Sequence, residues 1–315
     1  MIAGVGDNVV DRYLDLGLMY PGGNALNVSV FCRRLGVGSA YVGALGTDAG
    51  GDCVRSALAA EDVETERTRT VDGPNAFATV RLEAGERIFD GGDVGVSLLD
   101  LDPEDLDYLG RCSIVHTTET SRLETQLPEL ATALRDHGGR LSFDFGERRD
   151  STYVCAVAAL VHLAFFSGAG LTGAEARGLA LLALEAGSEV AVVTRGRLGA
   201  LYATQQCSVF QPAIPVPVVD TLGAGDAFIA GVLVGLSLGE RTASSLRSAA
   251  ELAAQVCTWH GAFGRPRPDP ATPADTGSAR RGAAAARGKD ARAARAAAAA
   301  RRPSTTTEPH QGGLS

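Results

Sequence analysis

The 315-residue chain is 45% hydrophobic and 21% charged, which is enough apolar material for one large core or two modest ones. No apolar stretch is long enough to cross a membrane, and no charged leader followed by an apolar run opens the chain, so we expect a cytoplasmic protein with no membrane partner. Residues 266–315 contain nine basic and four acidic side chains, which leaves residues 1–265 with a net charge of −13 and argues against a nucleic-acid partner.

The first predicted elements are a short buried strand at residues 2–6 and, further on, a helix that ends near Gly36. A Gly22-Gly23 turn opens the helix, and two asparagines, Asn24 and Asn27, follow at once. Polar residues beyond the carboxyl end of a strand lie where open α/β sheets bind ligands, but turn-forming Asp and Asn explain residues 7–11 equally well. Residue type alone favours helix capping by the asparagines as often as ligand binding.

Residues 40–46 predict a second strand, and Asp48 begins a helix that runs to residue 58. Residues 63–97 then break the alternation of strands and helices. Strand-like runs at 77–82 and 87–89 flank Glu83-Ala84-Gly85-Glu86, as the two arms of a hairpin would. We therefore expect a small inserted β-sheet.

The alternation resumes at residue 103 and continues for four further strands. Strands separated by helices indicate an α/β fold with a doubly wound, mostly parallel sheet and right-handed crossovers. The predicted helices are 103–109, 121–137, 151–160, 173–186, 226–238 and 244–257, and the predicted strands are 113–116, 140–145, 162–167 and 189–194.

Residues 219–228 end an apolar run and open a helix with two glycines and a carboxylate at the junction. Gly223 and Gly225 allow a tight turn, and the unpaired N–H groups of the helix start then attract an anion. A carboxylate facing a phosphate would be repelled, so Asp226 suggests a proton acceptor for a hydroxyl that attacks phosphorus. The alternative is an ordinary helix with a glycine-rich entry.

Phosphate recognition would have to proceed without lysine, because the only lysine of the chain is Lys289. That excludes a Walker-A loop and the phosphate lysine of protein kinases within the folded part. From Pro266 onward, Pro, Ala and Arg dominate, and residues 265–315 are predicted to be a disordered tail.

The string Asp220-Thr221-Leu222-Gly223-Ala224-Gly225-Asp226-Ala227-Phe228 resembles the signature of the ribokinase-like (PfkB) carbohydrate kinases. The resemblance covers residues 1–264, which we expect to form one kinase domain. It implies a ribokinase-like fold in which residues 7–20 and 63–97 build a β-sheet lid over the sugar. It also implies that Asp226 is the catalytic base and that Gly223, Ala224 and Gly225 form the anion hole.

The same resemblance assigns the substrate and nucleotide residues. The sugar is implied to bind at Asp11, Gly22, Gly23, Asn24 and Asn27. The nucleotide is implied to bind at Thr194, Gly196, Gly199, Thr221 and Gly261. From the residues alone, the 195–199 stretch is also explained by a plain hairpin turn. ATP and Mg²⁺ are the implied cofactors, with a monovalent cation such as K⁺ beside the 220–223 loop, and the edge of the lid is implied to pair two subunits.

Two departures from the family pattern concern charge placement. The N-x-x-E element that orders water around Mg²⁺ is replaced by Ser167-Gly168-Ala169-Gly170-Leu171, and Glu175 lies too far along to substitute. No metal ligand is therefore assigned. The D-P-N-x-R stretch becomes Asp144-Phe145-Gly146-Glu147-Arg148, in which Arg148 keeps its position for offsetting phosphate charge.

Several shared stretches, among them Gly22-Gly23-Asn24-Ala25 and Ile114-Val115-His116, are similar to the fructoselysine 6-kinases. This likeness implies phosphorylation of the 6-hydroxyl of fructoselysine or a related fructosamine. Acids on the lid, Glu86, Asp90 and Asp93, would then meet a cationic arm. The alternatives are a kinase for ribose, fructose, 2-keto-3-deoxygluconate or adenosine, and a catalytically weak sugar-binding relative. A Rossmann dehydrogenase is set aside because Gly4-Val5-Gly6-Asp7-Asn8-Val9 lacks the third glycine.

Overall fold

The computed structural model describes residues 1–83 and 86–271. The strands in chain order are β1 (Ile2–Val5), β2 (Val9–Tyr13), β3 (Leu18–Gly22), β4 (Ser39–Val42), β5 (Ala44–Leu45), β6 (Arg69–Thr70), β7 (Phe77–Glu83), β8 (Glu86–Asp93), β9 (Ile114–Thr118), β10 (Arg140–Asp144), β11 (Leu163–Ser167), β12 (Val190–Thr194), β13 (Ala200–Thr204), β14 (Ser208–Gln211) and β15 (Arg267–Pro268). The α-helices are α1 (Asn24–Arg34), α2 (Ala49–Ala60), α3 (Pro103–Gly110), α4 (Leu127–Asp136), α5 (Ser151–Ala158), α6 (Gly173–Ala186), α7 (Ala224–Ser237) and α8 (Thr242–Val256).

The central sheet has eight strands in the order β14-β13-β12-β11-β10-β9-β1-β4. Six neighbouring strands of this sheet run parallel, namely β4, β1, β9, β10, β11 and β12, and β13 and β14 are added antiparallel at one edge. The predicted doubly wound, mostly parallel sheet is confirmed. Strand β1 is flanked by β4 on one side and by β9, which comes later in the chain, on the other. The order in which the chain adds strands therefore reverses beside β1. In open α/β sheets, the crevice outside the carboxyl ends of the strands at such a reversal is where ligands bind.

Each face of the central sheet is covered by helices and has its own apolar core. Ile2 and Phe165 belong to the core shared with α1, α2, α7 and α8, while Ala3 and Phe166 belong to the core shared with α3 to α6. Neighbouring residues of one strand thus point into different cores. Burial on both faces explains why these strands appear in the sequence as uninterrupted apolar runs.

The predicted inserted sheet is present and has five strands in the order β15-β3-β2-β7-β8; we call it the lid sheet. Four of its strands lie in the predicted segments. The fifth, β15, was not predicted, and it pairs with β3 through Arg267 opposite Met19. Beside it, Arg12 donates two hydrogen bonds to Asp269, at 2.9 and 3.0 Å.

The body of the protein therefore extends beyond the predicted boundary at residue 264. The compact unit ends at Pro270, because β15 pairs with β3, Asp269 binds Arg12, and Arg265 forms an ion pair with Glu61 at 2.7 Å. Composition located the start of the proline-rich stretch, but it gave no sign that residues 265–269 contact the body. The rest of the predicted disordered tail lies outside the described residues.

Three local predictions differ from the structure. Helix α4 begins at Leu127 instead of residue 121, because residues 119–121 form a 3₁₀ turn, Arg122 is left-handed with φ 56°, and the helix has a proline in its first turn. The strand predicted at 40–46 breaks at Gly43, where a Cβ atom would lie 2.1 Å from the Tyr41 hydroxyl. Strand β14 was not predicted. In the described part of the chain, no helix combines the length and apolarity needed to cross a membrane.

Candidate active site

Helix α7 begins at a glycine turn that packs against a second loop. Gly223 precedes the helix with φ 76°, and a Cβ atom there would lie 2.6 Å from Cβ of Ala262. Among the described residues, no side chain caps this helix start, and the N–H of Ala224 donates to the carbonyl of Thr221 at 3.3 Å. The N–H groups of Gly225 and Asp226 are then the best donors of this turn for an anion.

Asp220 holds the loop before α7 and the loop that contains Gly261 together. It accepts hydrogen bonds from the N–H groups of Leu222, at 3.0 Å, and Gly261, at 3.1 Å. The hydroxyl of Tyr13 on β2 also donates to it. Gly261 has φ +74°, and a Cβ atom there would lie 2.3 Å from the Tyr20 ring. This carboxylate is thus an architectural residue that ties α7 to the lid sheet.

Asp226, in the first turn of α7, is held by two asparagine amides from α1. Nδ2 of Asn24 donates to Oδ1 at 2.9 Å, and Nδ2 of Asn27 donates to Oδ2 at 2.6 Å. Burial is the largest cause that raises the pKa of Asp226 to about 7; the Asn27 bond opposes the rise, and the charges of Asp144, Asp7 and Asp11 add to it. A carboxylate with a pKa near neutrality is suited to exchanging protons.

Asn24 connects Asp226 to further buried groups at the carboxyl ends of β9 and β10. Its Nδ2 also donates to Asp144 at 2.7 Å, and its Oδ1 lies 2.8 Å from Nε2 of His116. Nδ1 of His116 in turn lies 2.8 Å from the hydroxyl of Ser142. Burial lowers the pKa of His116 to about 3, so this imidazole is neutral. The pKa of Asp144 is raised to about 6, chiefly by burial.

Asp7 caps α1 from a distance in sequence. Its carboxylate accepts the N–H of Asn24 at 2.9 Å and the N–H of Ala25 at 3.0 Å, which are the first amides of the helix. Burial raises its pKa despite these bonds. The asparagines therefore do not cap their own helix. They are free to turn their amides toward Asp226.

The predicted sugar residues lie together around the start of α1. Asp11, on β2, is 2% exposed, and a Cβ atom on Gly22 would lie 2.6 Å from Oδ2 of Asp11. Gly23 has φ +111°, and a Cβ atom there would lie 2.5 Å from Cα of Asn8. Oδ1 of Asn27 is buried and has no protein partner among the described residues. A buried acceptor of this kind calls for a donor such as a ligand hydroxyl.

The predicted nucleotide loop lies between β12 and β13, at the carboxyl edge of the sheet. Gly196 and Gly199 have φ of +53° and +89°, and a Cβ atom on Gly199 would lie 2.2 Å from the Gln211 carbonyl. The hydroxyl of Thr194 donates to the Phe166 carbonyl at 3.3 Å. The hairpin turn predicted from the residues is present: the N–H of Arg195 donates to the Gly199 carbonyl at 2.7 Å, and the Arg195 side chain donates to the Leu171 carbonyl between β11 and α6. Thr221 and Gly261 lie instead beside α7.

Glu175 and Arg148, the two side chains considered at the departures from the family pattern, both contact other side chains or backbone groups of the protein. Glu175 is occupied in a capping box at the start of α6, where it accepts the N–H of Thr172 at 2.8 Å. The guanidinium of Arg148 stacks on the Tyr153 ring, 3.8 Å from its centroid, and lies 4.0 Å from a Glu124 oxygen. Within the described residues, no group of three or more His, Cys, Asp or Glu side chains is arranged to hold a metal ion.

Four residues of the hydrogen-bond network were not predicted as site residues: Asp7, His116, Ser142 and Asp144. Each follows or lies within an apolar strand, where a polar side chain is unusual. That signal was present in the sequence for His116 and Ser142, which are fully buried. Their partner, however, is an asparagine that lies far away along the chain.

Known proteins resemble this chain in sequence. The family model described as "pfkB family carbohydrate kinase" matches residues 16–269. The chain is 39% identical to "Fructosamine kinase FrlD" of Bacillus subtilis (strain 168) over 265 residues, covering 82% of this chain and 92% of that protein. It is 32% identical to "Fructoselysine 6-kinase" of Escherichia coli (strain K12), covering 83% and 99%. It is 35% identical to "Fructokinase" of Klebsiella pneumoniae, covering 74% and 83%.

Solved structures share the fold at lower sequence identity. A fructokinase from Xylella fastidiosa with bound ATP superposes with a TM-score of 0.72 at 22% identity, covering 84% of this chain and 94% of that chain. An Escherichia coli protein titled a putative ribokinase II, in complex with ATP and Mg²⁺, gives 0.70 at 22% identity, covering 83% and 94%. At this level of identity the likenesses concern the fold alone.

Proposed function

The chain belongs to the PfkB family of carbohydrate kinases and is an ATP-dependent carbohydrate kinase, and on that premise we propose that it phosphorylates the 6-hydroxyl of fructoselysine or a related fructosamine. The observation that carries the chemistry is the placement of Asp226. It lies in the first turn of an uncapped helix, between two asparagine amides, with a pKa raised to about 7. A proton acceptor thus stands beside a turn that attracts phosphate.

The proposed reaction is an in-line phosphoryl transfer. The 6-hydroxyl oxygen forms a bond to the γ-phosphorus, the bond from that phosphorus to the bridging oxygen of ADP breaks, and the hydroxyl proton passes to Asp226. The N–H groups at Gly225 and Asp226 face the charge that develops on the transferred group. Gly223 sets the shape of the turn. Ala224 is proposed to contribute to that shape and not to anion binding, because its N–H already donates to the Thr221 carbonyl.

The sugar is proposed to lie against Asp11, Gly22, Gly23 and Asn27. The buried Oδ1 of Asn27 supports this, since a sugar hydroxyl is the donor that it needs. Gly22 lets the end of β3 approach the carboxylate of Asp11, and Gly23 lets the start of α1 approach the backbone of Asn8. Asn24 is assigned here to the base rather than to the sugar, because both hydrogens of its amide are taken up by Asp226 and Asp144.

ATP is proposed to bind across the loops that contain Thr194, Gly196 and Gly199 on one side and Thr221 and Gly261 on the other. The residues fit magnesium only as an ion that the phosphates carry in with bound water, a mode that magnesium tolerates. Glu175 is committed to its capping box, and the stretch 167–171, where the family pattern has its Glu, contains no acidic residue. A monovalent cation beside the 220–223 loop would meet backbone carbonyls, since both oxygens of Asp220 already accept hydrogen bonds.

The fructosamine assignment is supported by one relative named fructosamine kinase and another named fructoselysine 6-kinase. The absence of lysine from the body also disfavours a substrate that already carries a phosphate, because arginine is the only permanently charged side chain left to bind it. The lid acids support it less than the sequence suggested. Asp90 pairs with Arg81 at 2.8 Å, Asp93 accepts the N–H of Gly95 at 2.8 Å, and the side chain of Glu86 lies outside the described residues. Pairing of two subunits through the lid sheet remains part of the proposal.

The test is a side-by-side measurement of kcat/KM with ATP·Mg²⁺ for fructoselysine, fructose, ribose and adenosine. We expect fructoselysine to give the highest value and its product to carry the phosphate on the 6-oxygen. A preference for fructose, as in the Klebsiella pneumoniae relative, would replace the substrate and keep the mechanism. Sugar binding without ATP turnover would favour a binding protein over a kinase.

A further inference from the structure

A buried line of three side chains runs from the central sheet to the base, and the proposed mechanism leaves two of them unused. His116 on β9 and Ser142 on β10 are register partners on neighbouring parallel strands, and neither is exposed. The Ser142 hydroxyl lies 2.8 Å from Nδ1 of His116, and Nε2 lies 2.8 Å from Oδ1 of Asn24. The ring also packs edge-on against Phe165, which limits its rotation.

The hydrogen atoms of this line have one consistent arrangement. Two carboxylates lie 2.7 and 2.9 Å from Nδ2 of Asn24, and carboxylates accept, so the NH₂ group must face them. Oδ1 of Asn24 then faces His116 and requires a proton on Nε2. A neutral imidazole with that proton has a bare Nδ1, which accepts the Ser142 hydroxyl.

We propose that His116 and Ser142 are positioning residues that lock the amide of Asn24 in the orientation that presents its NH₂ group to Asp226. This inference deepens the proposed function and rests on it. Without the lock, rotation of the amide by half a turn would place its oxygen against two carboxylates. The lock is needed most when Asp226 has taken the substrate proton, because a protonated carboxyl no longer requires two donors.

The charged groups that face Asp226 come from several elements: Asp7 beyond β1, Asp11 on β2 and Asp144 on β10. His116 is the neutral member on β9. An amide that turns its oxygen toward Asp226 adds a repulsive dipole to these charges and raises the pKa of the base further. The acid limb of the pH profile of kcat/KM would then move to higher pH. A purely structural histidine would not move this limb.

The experiment compares three variants with a matched control. His116→Phe removes both ring nitrogens, His116→Gln keeps a side-chain N–H, and Ser142→Ala removes the donor to Nδ1. His162→Gln is the control. Like His116, His162 bonds a residue of a neighbouring strand, since it accepts the N–H of Leu141 at 3.0 Å, and it is partly buried. It differs in lying at the amino end of β11. Melting temperature checks the fold of each variant.

We expect His116→Phe to lower kcat roughly 10- to 100-fold, the range for a misplaced catalytic group, and to move the acid limb upward. His116→Gln should restore part of the loss, Ser142→Ala should lose less than His116→Phe, and the control should match the wild type. Wild-type kcat together with an unmoved acid limb in a folded His116→Phe variant would overturn the proposal. So would a control that falls as far as His116→Phe.

A second readout does not depend on the substrate. In protein labelled with ¹⁵N-histidine, the signal lost in His116→Gln identifies His116, and its shifts report which nitrogen carries the proton. We expect a neutral ring protonated on Nε2 throughout the range of activity. A ring protonated on Nδ1 would contradict the lock even in an active kinase. Wild-type protein that phosphorylates none of the sugars would overturn the proposed function and leave this tautomer measurement interpretable by itself.

Discussion

The two sides of the site are built from different parts of the chain. The side proposed for the sugar and the base consists of side chains: the amide of Asn24 lies between the carboxylates of Asp226 and Asp144, and the amide of Asn27 donates to Asp226. The side proposed for the nucleotide consists of backbone, with Gly223 and Gly261 at positive φ and packed so closely that a Cβ atom would clash. In this proposal the first side controls protonation and the second controls shape. Substitutions should therefore affect pH dependence on one side and geometry on the other.

The largest expected effect is on the side-chain side. Asp226→Asn keeps the shape of the base but removes its proton affinity, so we expect kcat to fall by roughly 10² to 10⁴, the usual contribution of a general base. Because the folded-state pKa of Asp226 is raised to about 7, its ionisation costs stability, which is lost as pH rises from the unfolded pKa to that value and is fully lost above it. The variant removes this cost but turns its own NH₂ group toward the amide of Asn24 or Asn27, so its melting temperature at pH 8 should lie close to that of the wild type. Calorimetry and steady-state assays measure both quantities, and full turnover would remove Asp226 from the mechanism.

On the backbone side, Gly223→Ala should act through geometry. The new Cβ atom would lie 2.6 Å from Ala262 in a residue with φ +76°, so the turn at the start of α7 must shift. We expect kcat/KM for ATP to fall roughly 10- to 100-fold and the acid limb of the pH profile to stay in place. Gly225→Ala is the matched control for stability, because its Cβ atom would meet open space. Equal melting temperatures for the two variants would contradict the close packing.

A smaller effect should separate charge from shape on the side-chain side. The Asp144 anion is one cause of the raised pKa of Asp226, so Asp144→Asn should lower that pKa and move the acid limb of kcat/KM to lower pH. Asp150→Asn, at the start of α5, is the control, because asparagine also caps helices. An acid limb that stays in place in Asp144→Asn, measured from pH 5 to 8, would show that the two carboxylates are not coupled.

The smallest expected effect lies outside both sides. A chain that ends at Gly264 loses β15 and the Arg12–Asp269 pair, so it should be less stable by about 1–3 kcal/mol, the range for charged hydrogen bonds. A chain that ends at Ala271 keeps these contacts and should melt with the full-length protein. Thermal unfolding of the three proteins measures the difference. Equal melting temperatures for the two shortened chains would show that β15 does not contribute.

The fold was largely predictable because a buried parallel sheet leaves a direct signal, namely apolar runs separated by helices. Asp226 and its glycines were predictable because they lie together in one short stretch. The partners of the base were harder to predict. Asp144 and His116 lie 82 and 110 positions away from Asp226, and only the strand order β10-β9-β1 brings them together. Residue type explains Asp7 equally well as a turn residue or as a residue at the ligand-binding edge, whereas in the structure it caps a helix that begins 17 positions later.

The position of β15 has a consequence for how the protein is made. The other four strands of the lid sheet lie within the first 93 residues, whereas β15 is the last strand of the body. A ribosome adds residues in order, and domains begin to fold as they emerge. The outer edge of β3 therefore cannot pair with β15 until nearly the whole kinase domain has been synthesised. The lid sheet is completed late in synthesis, after all strands of the central sheet have been made.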